Sequence, residues 1–212
     1  MMNEYVSFLQ KLFPAIDPYT AQQAKNAVKE FARYGEKTPF FTEPLDKDFQ
    51  QGDIFSKVPF VYVDRNGQVQ LAEVGGMLLT NSCDATRNEL LQFAAVTPLE
   101  SYSANPRNIV AVTSNINYQY LYFPDTKLHD SFVNLGLITS ISRESFEGYV
   151  AAGKSERKVS LNLTGYFLFI TKLTVFFMRP EDREVLISRD SAPQANVIGG
   201  CVHSWMFNYC TF

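Results

Sequence analysis

Paired cysteines, long apolar runs and a dominant charge are all missing from this sequence, and each absence removes a class of protein. Three cysteines, Cys83, Cys201 and Cys210, are an odd number at wide spacing; they form no disulfide framework and fit a reducing, cytoplasmic setting. The longest greasy run, residues 166–178, contains Lys172 and falls short of the roughly 20 residues a membrane helix needs. It reads as a buried helix, with no membrane partner expected. The start, Met1-Met2-Asn3-Glu4, has no basic n-region, so it does not read as a secretory signal. With 19 basic and 22 acidic residues the net charge is -3, which gives no overall field to draw in nucleic acid; RNA binding would need a local patch. The scattered glycines form neither a Walker loop nor a dinucleotide fingerprint, so no nucleotide cofactor, and no cofactor of any kind, is expected.

What remains is enough to fold. At 46% hydrophobic and 14% aromatic, 212 residues can bury one substantial core with a helical appendage. Tyr5, Phe8, Leu9, Leu12 and Phe13 recur at helical spacing until Pro14. A second helix starts at Asp17 and Pro18, carries Ala21, Ala24, Val28 and Phe31 on one face, and stops at Gly35. Residues 36–51, with Pro39 and Pro44, read as a connection.

From Gly52 the period changes. Residues 59–64 and 68–74 are β-branched and aromatic runs joined by Arg65-Asn66-Gly67, where Asn-Gly is the pair of a type I′ hairpin. Gly75-Gly76 permits close backbone approach, and Met77-Leu78-Leu79 reads as a buried strand ending at Thr80-Asn81-Ser82-Cys83-Asp84. Residues 91–96 read as another strand ending at Pro98, while residues 105–112 are ambiguous between helix and strand. Residues 118–123, 131–135 and 137–141 suggest a strand meander, and 143–152 a short helix closed by Gly153. Leu163, Tyr166, Phe167, Ile170, Leu173 and Phe177 make the apolar stripe of a long helix that Pro180 ends. The tail from Ser188 has no clear period.

With the strands placed, Gly52-Asp53-Ile54-Phe55, Gly76-Met77-Leu78-Leu79-Thr80-Asn81 and Phe93-Ala94-Ala95-Val96-Thr97-Pro98 resemble, in order and spacing, the core of the MazF/PemK toxin-like proteins, over residues 50–102. The resemblance implies an SH3-like barrel and a bacterial toxin–antitoxin or phage-defence setting. Members of that family that cleave RNA place an Arg immediately before the second strand and a Thr or Ser after the third. Chemistry of that kind, without a metal, needs a cation for the charge at phosphorus and a nearby proton-transfer group. Here Gly75-Gly76 stands where the cation belongs, and Leu99-Glu100-Ser101 follows Pro98, leaving Ser101 as the hydroxyl candidate beside Glu100. Arg65 or Arg87 would have to supply the charge from another loop; a turn arginine is more often simply solvated.

Cys83 and Asp84 follow a strand end, with His129 on a later turn, so a cleft nucleophile or ligand is one reading. A small buried Cys beside an Asx-type turn is the preferred one. Cys201, His203 and Cys210 with Cys83 could make four zinc ligands, but the spacing matches no paired C-x-x-C pattern. Lys154, Arg157 and Lys158, with Arg179, Arg183 and Arg189, flank the long helix as candidate phosphate contacts, diluted by Glu156, Glu181, Asp182 and Glu184.

The expected fold is α+β: a small SH3-like antiparallel β-barrel with N-terminal helices (1–35), a core over 50–187 with a long C-terminal covering helix, and a tail over 188–212. The expected function is a non-catalytic or weakly catalytic binding or regulatory module that engages a protein partner or a second copy of itself. A metal-independent endoribonuclease using Arg65, Arg87, Glu100 and Ser101 is the alternative, and a small zinc-binding protein the third reading.

Overall fold

The computed structural model describes residues 39–45, 48–102, 106–128, 130–178 and 183–190, together with Gln22, Asn26, Lys29 and Arg33. Those four lie at spacings of four, three and four, are helical and exposed, and form the outer face expected of the second N-terminal helix. The first N-terminal helix, the apolar face of the second, and all of the 188–212 tail beyond Asp190 lie outside the described residues, while residues 188–190 end a helix.

Two compact units divide at Met178. Among the described residues the first contains seven strands: β1 (Phe41–Thr42), β2 (Ile54–Val63), β3 (Val69–Leu78), β4 (Leu90–Pro98), β5 (Tyr120–Tyr122), β6 (Ser131–Ser142) and β7 (Arg157–Leu161). Besides the helical residues Gln22, Asn26, Lys29 and Arg33, its α-helices among the described residues are α1 (Ser82–Ala85), α2 (Leu99–Tyr102), α3 (Pro106–Thr113), α4 (Arg143–Ala151) and α5 (Leu163–Met178). The second unit contributes α6 (Arg183–Asp190).

The fold is mixed α and β around one antiparallel sheet, in the order β1-β7-β2-β3-β4-β6-β5. The expected closed barrel is not what forms: β1 and β5 are the two ends of an open sheet, and with two and three residues they are too short to seal it. Burial supplies the physical reason. Ile54, Met77, Ala94 and Val96 face one core, with Phe40, Phe123 and Phe169 of α5. Their chain neighbours Phe55, Leu78, Phe93 and Ala95 face a second core, with Phe146 of α4. A strand covered on both sides reads as an unbroken apolar run, as 93–96 does.

Other expectations changed in detail. The two strands anticipated on either side of Gly136 are one, β6, with a register shift against β4 between Ala94 and Ala95. Of the ambiguous 105–112 segment, residues 106–112 are helical, within α3. The 64–68 connection is not type I′, which needs positive φ at two residues: Gly67 has φ 75°, and Asn66 is not among the positive-φ residues. Instead Gly67 N–H donates to Asp64 O at 3.0 Å, and Asp64 N–H to Gln68 O at 2.9 Å, the pattern of a three-residue loop ending in a left-handed glycine. In α5, Phe167 and Phe169 are buried, whereas Leu163 and Phe177 at the ends of the anticipated stripe are exposed.

Candidate functional site

The Gly52-Asp53 pair opens β2. Gly52 takes φ 90°, its N–H donates to Leu78 O at 2.8 Å, and Leu78 N–H returns to Asp53 O at 2.9 Å. Asp53 is wholly buried and fully satisfied. Its Oδ2 accepts from Gln50 N–H at 2.8 Å and from Arg157 at 3.0 Å, and its Oδ1 accepts from Ser160 Oγ at 2.5 Å. Arg157 also donates to Asp48 O at 2.7 Å. This carboxylate ties the 45–50 connection, β2 and β7 together, so Arg157 serves the fold and is not a spare phosphate contact. Asp53, Ser160, Gln51, Asn162 and Tyr166 line a cavity of about 520 Å³.

Gln51 also borders a second, open cleft of about 790 Å³ that holds Thr80, Asn81, Asp84, Arg87 and Gln92. Here Asn81 Oδ1 accepts from Cys83 N–H at 3.0 Å, as the Asx-type reading required. The Cys83 side chain, expected inside, is exposed, because the one-turn helix α1 turns Ala85 into the core instead. Burial raises the pKa of Tyr166, and the negative charge of nearby Cys83 in its thiolate form adds to the effect.

The four catalytic candidates are not gathered. Arg87 precedes β4 and Ser101 follows it; nine residues of strand separate their ends by roughly 27 Å. The same polarity appears in β6: Arg143 N–H donates to Glu89 O at one end, and Leu99 N–H to Asp130 O at the other. Ser101 Oγ donates to Pro98 O at 2.7 Å, Glu100 is exposed beside it, and Arg65 sits on the β2–β3 turn. Gly76 has no room for a side chain, since a Cβ there would fall 2.6 Å from Val58 Cγ2, and Gly75 is tight, with a Cβ 3.2 Å from Val96 Cβ.

Among the other cations, Lys154 lies 5.7 Å from the Tyr149 ring centroid and Lys158 pairs with Glu156. Arg183 begins α6; Arg179, His129, Cys201, His203 and Cys210 lie outside the described residues. Among the described residues no cluster of three or more His, Cys, Asp or Glu could hold a metal, and no helix is long and apolar enough to cross a membrane.

The hairpin expected over 59–74 forms, as β2 and β3; what residue-by-residue reading missed is that it stands out as an arm with an exposed apolar face. Among the described residues, β7 pairs with β2 at Ile54 and Phe55, and β4 pairs with β3 from Gly75 to Leu78, so the ribbon beyond stands clear of the sheet. One face of it, Val58 and Phe60, is buried against Phe146 and Tyr149 of α4. On the other, Val61 is paired with Leu71 and Val63 with Val69, at 55%, 73%, 65% and 70% exposure. Two groups brace the arm. The Asp64 carboxyl accepts from the Asn66 and Gln68 N–H groups and from Gln70 Nε2, and its pKa lies below the ordinary 3.8, chiefly through the Gln68 bond. Tyr149 OH donates to Glu73 Oε1 at 2.6 Å, and that bond is the main cause of its raised pKa. The sequence signal was there: 59–63 is apolar at every position, so a two-stranded arm made from it must show one apolar face.

No protein-family model matches the chain, and no curated protein matches it. Among solved structures, a crystal structure of MazE–MazF (Form-II) from Deinococcus radiodurans is similar over 63% of this chain and 99% of that one, at 12% identity and a TM-score of 0.37. A likeness at that level carries no argument for this chain's activity.

Proposed function

We propose that this chain is a protein-binding, regulatory module that works through its β2–β3 arm, in the bacterial toxin–antitoxin or phage-defence setting implied by the resemblance over residues 50–102. The observation that carries the reading is the aliphatic face of Val61, Val63, Val69 and Leu71, exposed on a ribbon whose other face is packed at Val58 and Phe60. Contiguous exposed apolar surface rimmed by polar groups marks interaction sites. Hydrolysis of RNA has less support. Without a metal it needs a cation and a proton-transfer group at one phosphate, whereas Arg87 and Ser101 stand at opposite ends of β4 and Gly76 is closed to any side chain.

The test pairs two assays on the full chain. Pure protein incubated with an RNA pool in chelator leaves it intact, and a partner recovered with the wild-type protein is lost with Leu71→Glu. Cleaved RNA, or partner recovery indifferent to Leu71→Glu, would overturn the reading.

A further inference from the structure

The arm has two strand edges with no neighbour among the described residues, and the turn sets the phase of their backbone groups. Asp64 N–H donates to Gln68 O at 2.9 Å, so 64 and 68 are a hydrogen-bonded pair. In an antiparallel ribbon such pairs recur at every second residue, which assigns Tyr62–Gln70 and Phe60–Ala72 to the ladder between β2 and β3. The residues between them turn their backbone polar groups outward: Val69, Leu71 and Glu73 on β3, and Pro59, Val61 and Val63 on β2.

The two edges differ. Pro59 has no N–H to offer, and a proline at an outward position blunts an edge. From Val69 to Glu73 the β3 edge has no proline and no lysine, and its register with β2 is unbroken. Farther along, the same edge already accepts a strand, where Gly75 to Leu78 pair with β4. β4 then leaves it, its Thr97 and Pro98 pairing with β6. Beside Val69, Leu71 and Glu73 the line of β4 is continued by no strand among the described residues.

We infer that β3 accepts a strand from another protein at this place: an extended, proline-free segment, antiparallel to β3, with aliphatic side chains at alternate positions. A row of outward N–H and C=O groups is matched by extended backbone, whereas a helix has already used its own. Residues opposite Val69 and Leu71 share their face, where those side chains are 70% and 73% exposed, so aliphatic partners there cover them. A second copy fits less well. Paired with itself about Leu71, the edge sets Val69 of each copy against Glu73 of the other. The inference rests on the reading of the arm as a protein-binding surface and adds the edge used and the conformation of the partner.

Amide exchange followed by NMR on the full chain tests it, with a short peptide of alternating valine and threonine, closed by a lysine at each end, as the probe. The peptide slows exchange at Val69, Leu71 and Glu73; the same peptide N-methylated at its valines, which has no N–H to turn toward β3, does not. Leu71→Pro removes one outward N–H and keeps an apolar ring, whereas Leu71→Ala keeps the N–H and loses the side chain. Proline weakens peptide binding about tenfold, and alanine by less. Slow exchange at Gln70 and Ala72 reports that the ribbon of each variant is folded. Exchange unmoved by the peptide, equal binding of the methylated peptide, or alanine more damaging than proline would overturn the inference. If any of these is seen while the cellular partner is still lost with Leu71→Glu, strand addition fails and the binding arm stands; a partner indifferent to Leu71→Glu removes both. A dimer abolished by Leu71→Pro would put a second copy on the edge and would also overturn the inference.

Discussion

Gly76 lies so close to Val58 that a Cβ at position 76 would come within 2.6 Å of Val58 Cγ2 and 2.9 Å of its Cβ. The contact joins β3 to β2 at the point where the arm leaves the sheet, and Val58 has no exposed surface into which to retreat. Gly76→Ala should lose about 1–3 kcal/mol, the usual cost of overpacking, and Gly76→Arg should lose more. Urea denaturation measures both. Gly76→Arg should also gain no RNA cleavage; a variant as stable as wild type that cuts RNA would show that the glycine had merely replaced a catalytic cation.

Asp53 and Arg157 form the buried pair that anchors β2 to β7, with side chains 0% and 16% exposed. Asp53→Ala leaves Arg157 facing an uncompensated site, and loss of one partner of a buried pair costs about 3–5 kcal/mol. Lys158→Ala, at a half-exposed pair with Glu156, should change stability by less than about 0.5 kcal/mol. Chemical denaturation of the two variants separates a structural cation from a solvated one.

How much of this was legible in the sequence varies with the physics behind each element. Asn66-Gly67 marked the hairpin correctly because a left-handed glycine is a local requirement; the turn type was missed because Asp64, by accepting from Asn66 and Gln68, favours the longer loop. Gly153, at φ 68°, closed α4 for an equally local reason, whereas the Ser142 cap at its start came only from the structure. Sheet closure was not local. Residues 93–96 read the same whether they line a closed barrel or a sheet covered on both faces, and only the placement of Phe146 and Phe169 decides. The same ambiguity hid the candidate site: Val61, Val63, Val69 and Leu71 look like core residues until the pairing ranges of β4 and β7 show that nothing among the described residues covers them.

The turn that carries Arg65 should depend on pH through Asp64. Its pKa is depressed in the folded arm, so the stabilisation is present above the ordinary 3.8 and is lost as pH falls through the lower folded value. Amide resonances of Asn66 and Gln68 followed by NMR should shift together in that acidic window. Titration at or above 3.8 would mean that the carboxyl does not brace the turn.

Lys172 offers a test at the other end of the pH scale. Its Nζ donates to Asn115 O at 3.0 Å and to Asn117 O at 2.6 Å, holding α5 to the chain that follows α3, and burial draws its pKa down from 10.5 to about 8. Between those values the unfolded chain binds more protons than the folded one, so this group makes stability rise with pH from about 8 to 10.5. Titration of the Lys172 side chain by NMR checks it; a value near 10.5 would contradict the burial.

The most direct test of the central claim is photo-crosslinking in living cells, with a photoreactive residue at Leu71 and, as control, at Lys158 on the edge-exposed part of β7. If the arm is the binding surface, position 71 yields a discrete protein adduct that Val69→Lys abolishes, and position 158 yields none. No adduct at 71, or equal adducts at both positions, would contradict the account.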